Sequence, residues 1–518
     1  MNRRRKVLLF SLSLYLANGA ISACLATNRW MGIGASATST SLPPSPSSTV
    51  IASITPTPTV TTSPTLLSAA DIGAAGIGDP YFPDMGNGGY DVQHYDLNLA
   101  VDMAQSQIDA IVEISARSLQ DLGRFDLDLK GLTVTSVEVN GQAAVFERNQ
   151  TELTITPTAV IPKGSLFSVD VAYHGTPGGG TLSESATFVN GWNFYPEGVI
   201  VAGEPTGAET WFPDNNHPSD KATYAFHVTV AAPYVVAANG DLRGRTDRGD
   251  GTWTYDWAMD EPMASYLATI AISNFTVMQS TSVGGVPIRN YVDADIPLKV
   301  VQPLGVLPEA LDFFSSIFGA YPFDVCGMVV HEYPLNFSLE NQTMIVLGNT
   351  FLDEIVVVHE LAHQWFGDSV SVSDWKDVWL NEGFASYAET LWLEHTQGHR
   401  AFVEDLTARY RFAALLPASR AVLIGDPGPD HLFDKLVYDR GALTLHALRL
   451  KVGDNAFFSI LRNYYERYRN GNATTADFVS VAEEESGQDL GGLFQAWLYS
   501  FPLPDIPELS LSSANFQG

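Results

Sequence analysis

Hydrophobic and polar residues alternate along much of the first half of this chain. The alternation is clearest in His94-Tyr95-Asp96-Leu97-Asn98-Leu99 and in Leu153-Thr154-Ile155, and a period of two belongs to strands with one buried face. Asn140-Gly141, set between the arms around Val137 and Gln142, predicts a two-residue hairpin turn, and Asn239-Gly240 repeats the signal. Residues from about 79 to 274 therefore read as mainly β. After about residue 280 the period lengthens. Leu311, Phe314, Ile317 and Phe318 share one side of a helix predicted over 308–318, which stops before Gly319 and Pro322. Further helices are predicted over 353–367, 381–396, 401–415, 434–451, 474–484 and 490–500. The pattern is that of a β domain followed by a mostly α domain, with no fixed-period repeat.

The amino terminus changes the picture. Arg3, Arg4, Arg5 and Lys6 precede an apolar stretch from Val7 to Ala20. That stretch is shorter than the roughly 20 residues needed to span a bilayer, so it reads as a signal peptide. Ile21-Ser22-Ala23-Cys24 resembles the processing box of bacterial lipoproteins, which implies that Cys24 is lipidated and becomes the first mature residue. From about 36 to 70 the chain is nearly all Ser, Thr, Pro, Ala and short aliphatics, and it cannot bury a core. The expected organisation is a signal peptide over 1–23, a tether over 24–75, a β domain over 76–277, an α-rich domain over 278–505 and a tail over 506–518. An exported protein on the outer face of the cell membrane, held there only by lipid, follows from this reading; without lipid on Cys24 it is secreted. The one other cysteine, Cys326, lies in an apolar run and reads as a buried strand residue rather than a nucleophile.

Composition narrows the function. Hydrophobic residues make up 45% of the 518, which argues against overall disorder. With 58 acidic against 28 basic side chains the formal net charge is -30, a field that repels phosphate and excludes nucleic acid as a partner.

The chemistry gathers at Val358-His359-Glu360-Leu361-Ala362-His363-Gln364. Residues four apart on a helix share a face, so the imidazoles of His359 and His363 reach one metal ion and Glu360 projects beside them as a base. Eighteen residues separate His363 from Glu382, in Trp379-Leu380-Asn381-Glu382-Gly383. A carboxylate from the next helix completes a His₂Glu set with one open position, which suits a single catalytic Zn²⁺. Asp377 and Glu389 are candidates to orient the imidazoles. His331, His395, His399 and His446 have no partner pattern and are assigned no metal.

The segment from Glu354 to Glu389 resembles the zinc segment of the aminopeptidase N family of gluzincin peptidases. Gly203-Glu204-Pro205, Gly319-Ala320-Tyr321-Pro322-Phe323, Phe337-Ser338-Leu339-Glu340-Asn341 and Val437-Tyr438-Asp439-Arg440-Gly441-Ala442 are similar to other segments of that family, in the same order. The resemblance implies an α+β multidomain protein: an all-β saddle or sandwich-like domain, then a mostly α, thermolysin-like zinc domain. It further implies peptide substrates with a free N-terminus, Glu360 as general base and Tyr438 as the hydrogen-bond donor to the oxyanion. Glu340, Glu204 and Asn341 fall at the substrate-binding positions, the two carboxylates holding the α-ammonium. Phe337 stands where the family has Gly and Leu339 where it has Met, and Phe337 narrows the space for the substrate. The chain also ends soon after Phe501-Pro502, without the helical C-terminal domain of larger relatives, so a more open cleft is expected. Three readings stay open: an aminopeptidase, a thermolysin-like endopeptidase that shares the metal set, and a catalytically silent surface binding protein.

Overall fold

The computed structural model describes residues 72–179, 190–416 and 420–516. The expected signal peptide, Cys24 and nearly all of the expected tether lie outside the described residues.

The alternation of the first half builds an eight-stranded sheet. Strand Tyr90–Asp102 lies between Gln107–Ser118, antiparallel to it, and Lys221–Ala231, parallel to it. Tyr90, Val92, Tyr95, Leu97, Leu99 and Val101 are buried while their neighbours face outward. A register shift between Val92 and His94 re-phases the alternation without moving apolar side chains to the wet face. Tyr95 stacks on Tyr224 with ring centroids 5.0 Å apart, which couples the central parallel pair. The predicted hairpin forms: Val139 pairs with Gln142, and Asn140 and Gly141 take φ of 52° and 69°.

Asn239-Gly240 is not a hairpin turn. Val235–Ala238 pairs with Ile270–Ser273, whereas Asp241–Asp247 joins Thr252–Ala264 in the large sheet, so the chain changes sheets at this pair. The buried Asn239 amide donates to the carbonyls of Leu267 and Gln342, and Gly240 N–H donates to Thr343 Oγ1 at 2.7 Å. These contacts outweigh the local turn preference and fasten the β domain to the second domain. Gly240, at φ 75°, also lies so close to the Ala258 carbonyl that a Cβ would fall 1.8 Å from it.

A second sheet runs in the order Phe275–Thr281, Pro287–Asp293, Cys326–Val330 and Ile345–Leu347, with the last two pairings parallel. The expected junction at 277/278 falls inside the first of these strands, which already belongs with the second domain's sheet. Cys326 is buried at its strand start, and burial pushes its thiol up to about 12, the state of an inert side chain.

Eight helices follow among the described residues: α1 Leu307–Phe318, α2 Glu354–His363, α3 Trp379–Gln397, α4 His399–Leu415, α5 Lys435–Val452, α6 Asp454–Tyr468, α7 Thr475–Ser486 and α8 Gly491–Leu498. α2 ends at His363, earlier than expected, because the chain turns through Gly367 at φ 141°. α6 is absent from the predicted set, although Phe457, Ile460, Leu461, Tyr464 and Tyr465 line its buried face at helical spacing. The tail is packed: Ile506 and Leu511 are buried and bridge one another. No helix among the described residues is long and apolar enough to cross a membrane.

Candidate functional site

α2 begins at a well-made cap. Asp353 accepts from the N–H groups of Ile355 and Val356 at 2.9 and 3.0 Å, and its charge complements the helix N-terminus. Val357, Val358, Leu361 and Ala362 are buried, which leaves His359, Glu360 and His363 on a face toward a cavity. Glu382 comes from the first turn of α3. α3 and α5 touch at Gly383 and Gly441, where a Cβ on either residue would lie within 2.8 Å of the other's Cα. That close approach sets Glu382 and Tyr438, each next in sequence or one turn away, into one wall. Neither glycine was singled out from the sequence for this purpose.

His359 Nε2, His363 Nε2 and Glu382 Oε2 form a triangle with sides of 3.1, 3.3 and 3.5 Å. Ligands about 2.0–2.1 Å from a tetrahedral ion sit about 3.3–3.4 Å apart, so the triangle fits zinc. The proton positions agree. His359 Nδ1 lies 2.6 Å from Glu389 Oε1 and His363 Nδ1 lies 3.1 Å from the Phe366 carbonyl. With both Nδ1 atoms donating, both Nε2 lone pairs and the carboxylate point at one spot, where a metal cation fits. Glu389 therefore orients His359 as expected. Asp377 does not reach either imidazole; it accepts from Thr475 Oγ1 at 2.6 Å, and a backbone carbonyl takes its place at His363.

Glu389 is itself held by Arg409 Nη2 at 2.6 Å, and Arg409 also binds Asp405 and Asp439. Burial opposes ionisation of Glu389, but Arg409 and His359 outweigh it and hold the carboxyl down at about 2.

The cavity beside the triangle measures about 500 Å³ and is lined by Glu204, Glu340, Glu360, the three metal-facing residues and Tyr438, among others. Oε1 of Glu204 and Oε1 of Glu340 are buried with no hydrogen-bond partner. Burial, then the neighbouring carboxylates, raise the Glu204 pKa well above its ordinary range. Glu340 is raised by burial and by Glu382. Burial pushes Glu360 up to about 8 against the pull of both imidazoles. The Tyr438 ring lies along His359 at 5.9 Å, and burial with the surrounding acids keeps its phenol protonated.

Asn341 does not line the cavity. Its amide donates to the Leu267 carbonyl at 3.1 Å, which joins the two domains. The residue that the sequence reading missed is Gln364. Its Nε2 donates to the Glu340 carbonyl at 2.8 Å and to Asp368 Oδ2 at 2.7 Å, while its Oε1 accepts from Thr343 N–H and Tyr321 O–H. Two of these bonds tie the end of α2 to the segment that carries Glu340, and the other two fix the side chain between Tyr321 and Asp368. A polar side chain between Ala362 and the apolar Trp365-Phe366 was the available signal.

Comparison with known proteins agrees with this geometry. Residues 303–497 match the Peptidase family M1 domain, and residues 91–267 match the Peptidase M1 N-terminal domain. The chain is 31% identical to the M1 zinc metallopeptidase from Deinococcus radiodurans, whose crystal structure superposes with a TM-score of 0.77 and covers 83% of this chain and 98% of that one. It is 25% identical to the glutamyl aminopeptidase of Rattus norvegicus, over 80% of this chain and 47% of that protein. It is 30% identical to aminopeptidase M1-B of Oryza sativa subsp. japonica, over 61% of this chain and 39% of that protein. The chain thus spans about half the length, or less, of these curated relatives.

Proposed function

Since this chain belongs to the peptidase M1 family, we propose that it is a zinc-dependent aminopeptidase that removes N-terminal residues from peptides outside the cell. His359, His363 and Glu382 would hold the zinc. When bound there, zinc supplies Lewis acidity, which acidifies water and makes the scissile carbonyl more electrophilic. Glu360 takes the proton from the attacking water and delivers it to the departing amine, as suits a buried carboxylate on the same helix face as the imidazoles. Tyr438 donates its phenolic hydrogen bond to the carbonyl oxygen as negative charge builds on it. Glu204 and Glu340 bind the substrate's α-ammonium and so fix the scissile bond one residue from the chain end.

The observation that carries the aminopeptidase reading over the endopeptidase one is the pair of buried, unpartnered oxygens, Glu204 Oε1 and Glu340 Oε1, in the cavity that holds the metal triangle. Burial holds these two carboxyls toward their neutral forms, and their ionised forms are favoured only when a cation meets them. An internal peptide offers none; a free N-terminus does. Glu340→Ala is therefore expected to lower kcat/KM for aminoacyl anilides by roughly 100-fold or more, chiefly through KM, with the zinc content intact. An unchanged KM would remove Glu340 from substrate binding.

The action outside the cell rests on the signal-like residues 1–23 and on Cys24. Cys24→Ala is expected to move the protein from the membrane fraction to the soluble exported fraction; membrane association that survives the substitution contradicts the lipid anchor.

A further inference from the structure

We infer that the cavity accepts large apolar N-terminal side chains, aromatic ones best, and rejects acidic ones, with Phe337 and Phe433 setting the preference. The inference rests on the aminopeptidase reading above. Every carboxylate that lines the cavity is already engaged, Glu382 on the metal, Glu360 on the proton, and Glu204 with Glu340 on the ammonium. Among the described residues that line it, none is Lys or Arg. A substrate Glu or Asp side chain would enter a space of about 500 Å³ beside four carboxylates with no cationic partner of its own. An ionised side chain that enters a buried site without a cationic side chain to meet it keeps its desolvation cost uncompensated.

The apolar part of the wall is the positive half of the argument. Phe337 is half-buried and packs against the hydrophobic core, three residues from Glu340 on the same segment. Phe433 is 42% exposed at the cavity, five residues before Tyr438. The two rings thus stand on the two segments that carry the ammonium ligand and the oxyanion donor, so a side chain next to the scissile bond meets them. Leu339 and the fully buried Ala202 extend the same apolar surface. An exposed aromatic at the rim of a concave site leaves apolar area for a ligand to cover.

The test is kcat/KM for a panel of free-amine aminoacyl 4-nitroanilides (Phe, Leu, Ala, Arg and Glu) on the purified zinc-loaded protein. The Phe and Leu substrates are expected to exceed Ala by about 10-fold or more, and Glu to fall below Ala by about 100-fold. Phe433→Ala and Phe337→Gly should each reduce the Phe-to-Ala ratio by roughly 10-fold. A Glu substrate cleaved as well as Ala overturns the inference, as does an Arg substrate that exceeds Phe or a Phe-to-Ala ratio unchanged in both variants. The wild-type panel decides the acidic exclusion even if a variant does not fold. If no free-amine anilide is cleaved while a doubly blocked peptide is, the aminopeptidase reading itself fails, and the inference with it.

Discussion

Glu360→Gln is expected to lower kcat by roughly 10²- to 10⁴-fold while the protein still holds one zinc ion per chain. Glu360 lies on α2 between the two imidazoles in sequence and lines the same cavity, but it is not a corner of the metal triangle. Glutamine keeps the shape at this 7% exposed position and removes only the capacity to take up a proton. KM should change little, because the proposed ammonium ligands are Glu204 and Glu340. Steady-state kinetics paired with metal analysis checks this directly. Loss of zinc together with activity would mean that Glu360 supports the metal site rather than the proton transfer.

The second large effect is expected from Glu382→Gln. Its carboxylate is the one negative corner of the triangle, 3.3 and 3.5 Å from the two imidazole nitrogens. Without that charge, two lone pairs 3.1 Å apart are left to hold a dication by themselves. The variant should purify with little zinc, show no activity above background at stoichiometric metal, and recover only in part with excess zinc. Chelation of the wild type should abolish activity in the same way and lower Tm, since a ligand that binds only the folded state stabilises it. Zinc binding by Glu382→Gln equal to that of the wild type would place the metal elsewhere.

Much of this site could be read from local spacing. The imidazoles four residues apart and the carboxylate at the start of the next helix are periodic features, and helices preserve such spacing in space. Glu389 is of the same kind: it follows Glu382 by seven residues, two turns along α3, and so returns to the same face. Asp377 precedes α3 on a short turn, where no helical spacing ties it to the metal face. The partner of His363 was illegible because it is a main-chain carbonyl, which residue types do not reveal.

The misread features share a cause. Asn239-Gly240 has the local chemistry of a hairpin, yet its side chain and amide are taken by Leu267, Gln342 and Thr343 from segments far along the chain. Asn341 lies at a substrate-binding position by resemblance, but the domain interface uses its amide. Gln364 and the Gly383–Gly441 contact act only once α2, α3, α5 and the Glu340 segment have been brought together. The helix α6 is different: its apolar spacing was present in the sequence and simply not assigned.

The central claim is that a free α-ammonium, held by Glu204 and Glu340, directs cleavage to the first peptide bond. The most direct measurement compares one aminoacyl anilide with its N-acetylated form and with an internally quenched peptide blocked at both ends, all on the same zinc-loaded protein. Cleavage of the free amine, with the acetylated form and the blocked peptide slower by about 100-fold or more, is the predicted result. Comparable cleavage of the blocked peptide would contradict it, and Glu204 and Glu340 would then line the cleft of an endopeptidase.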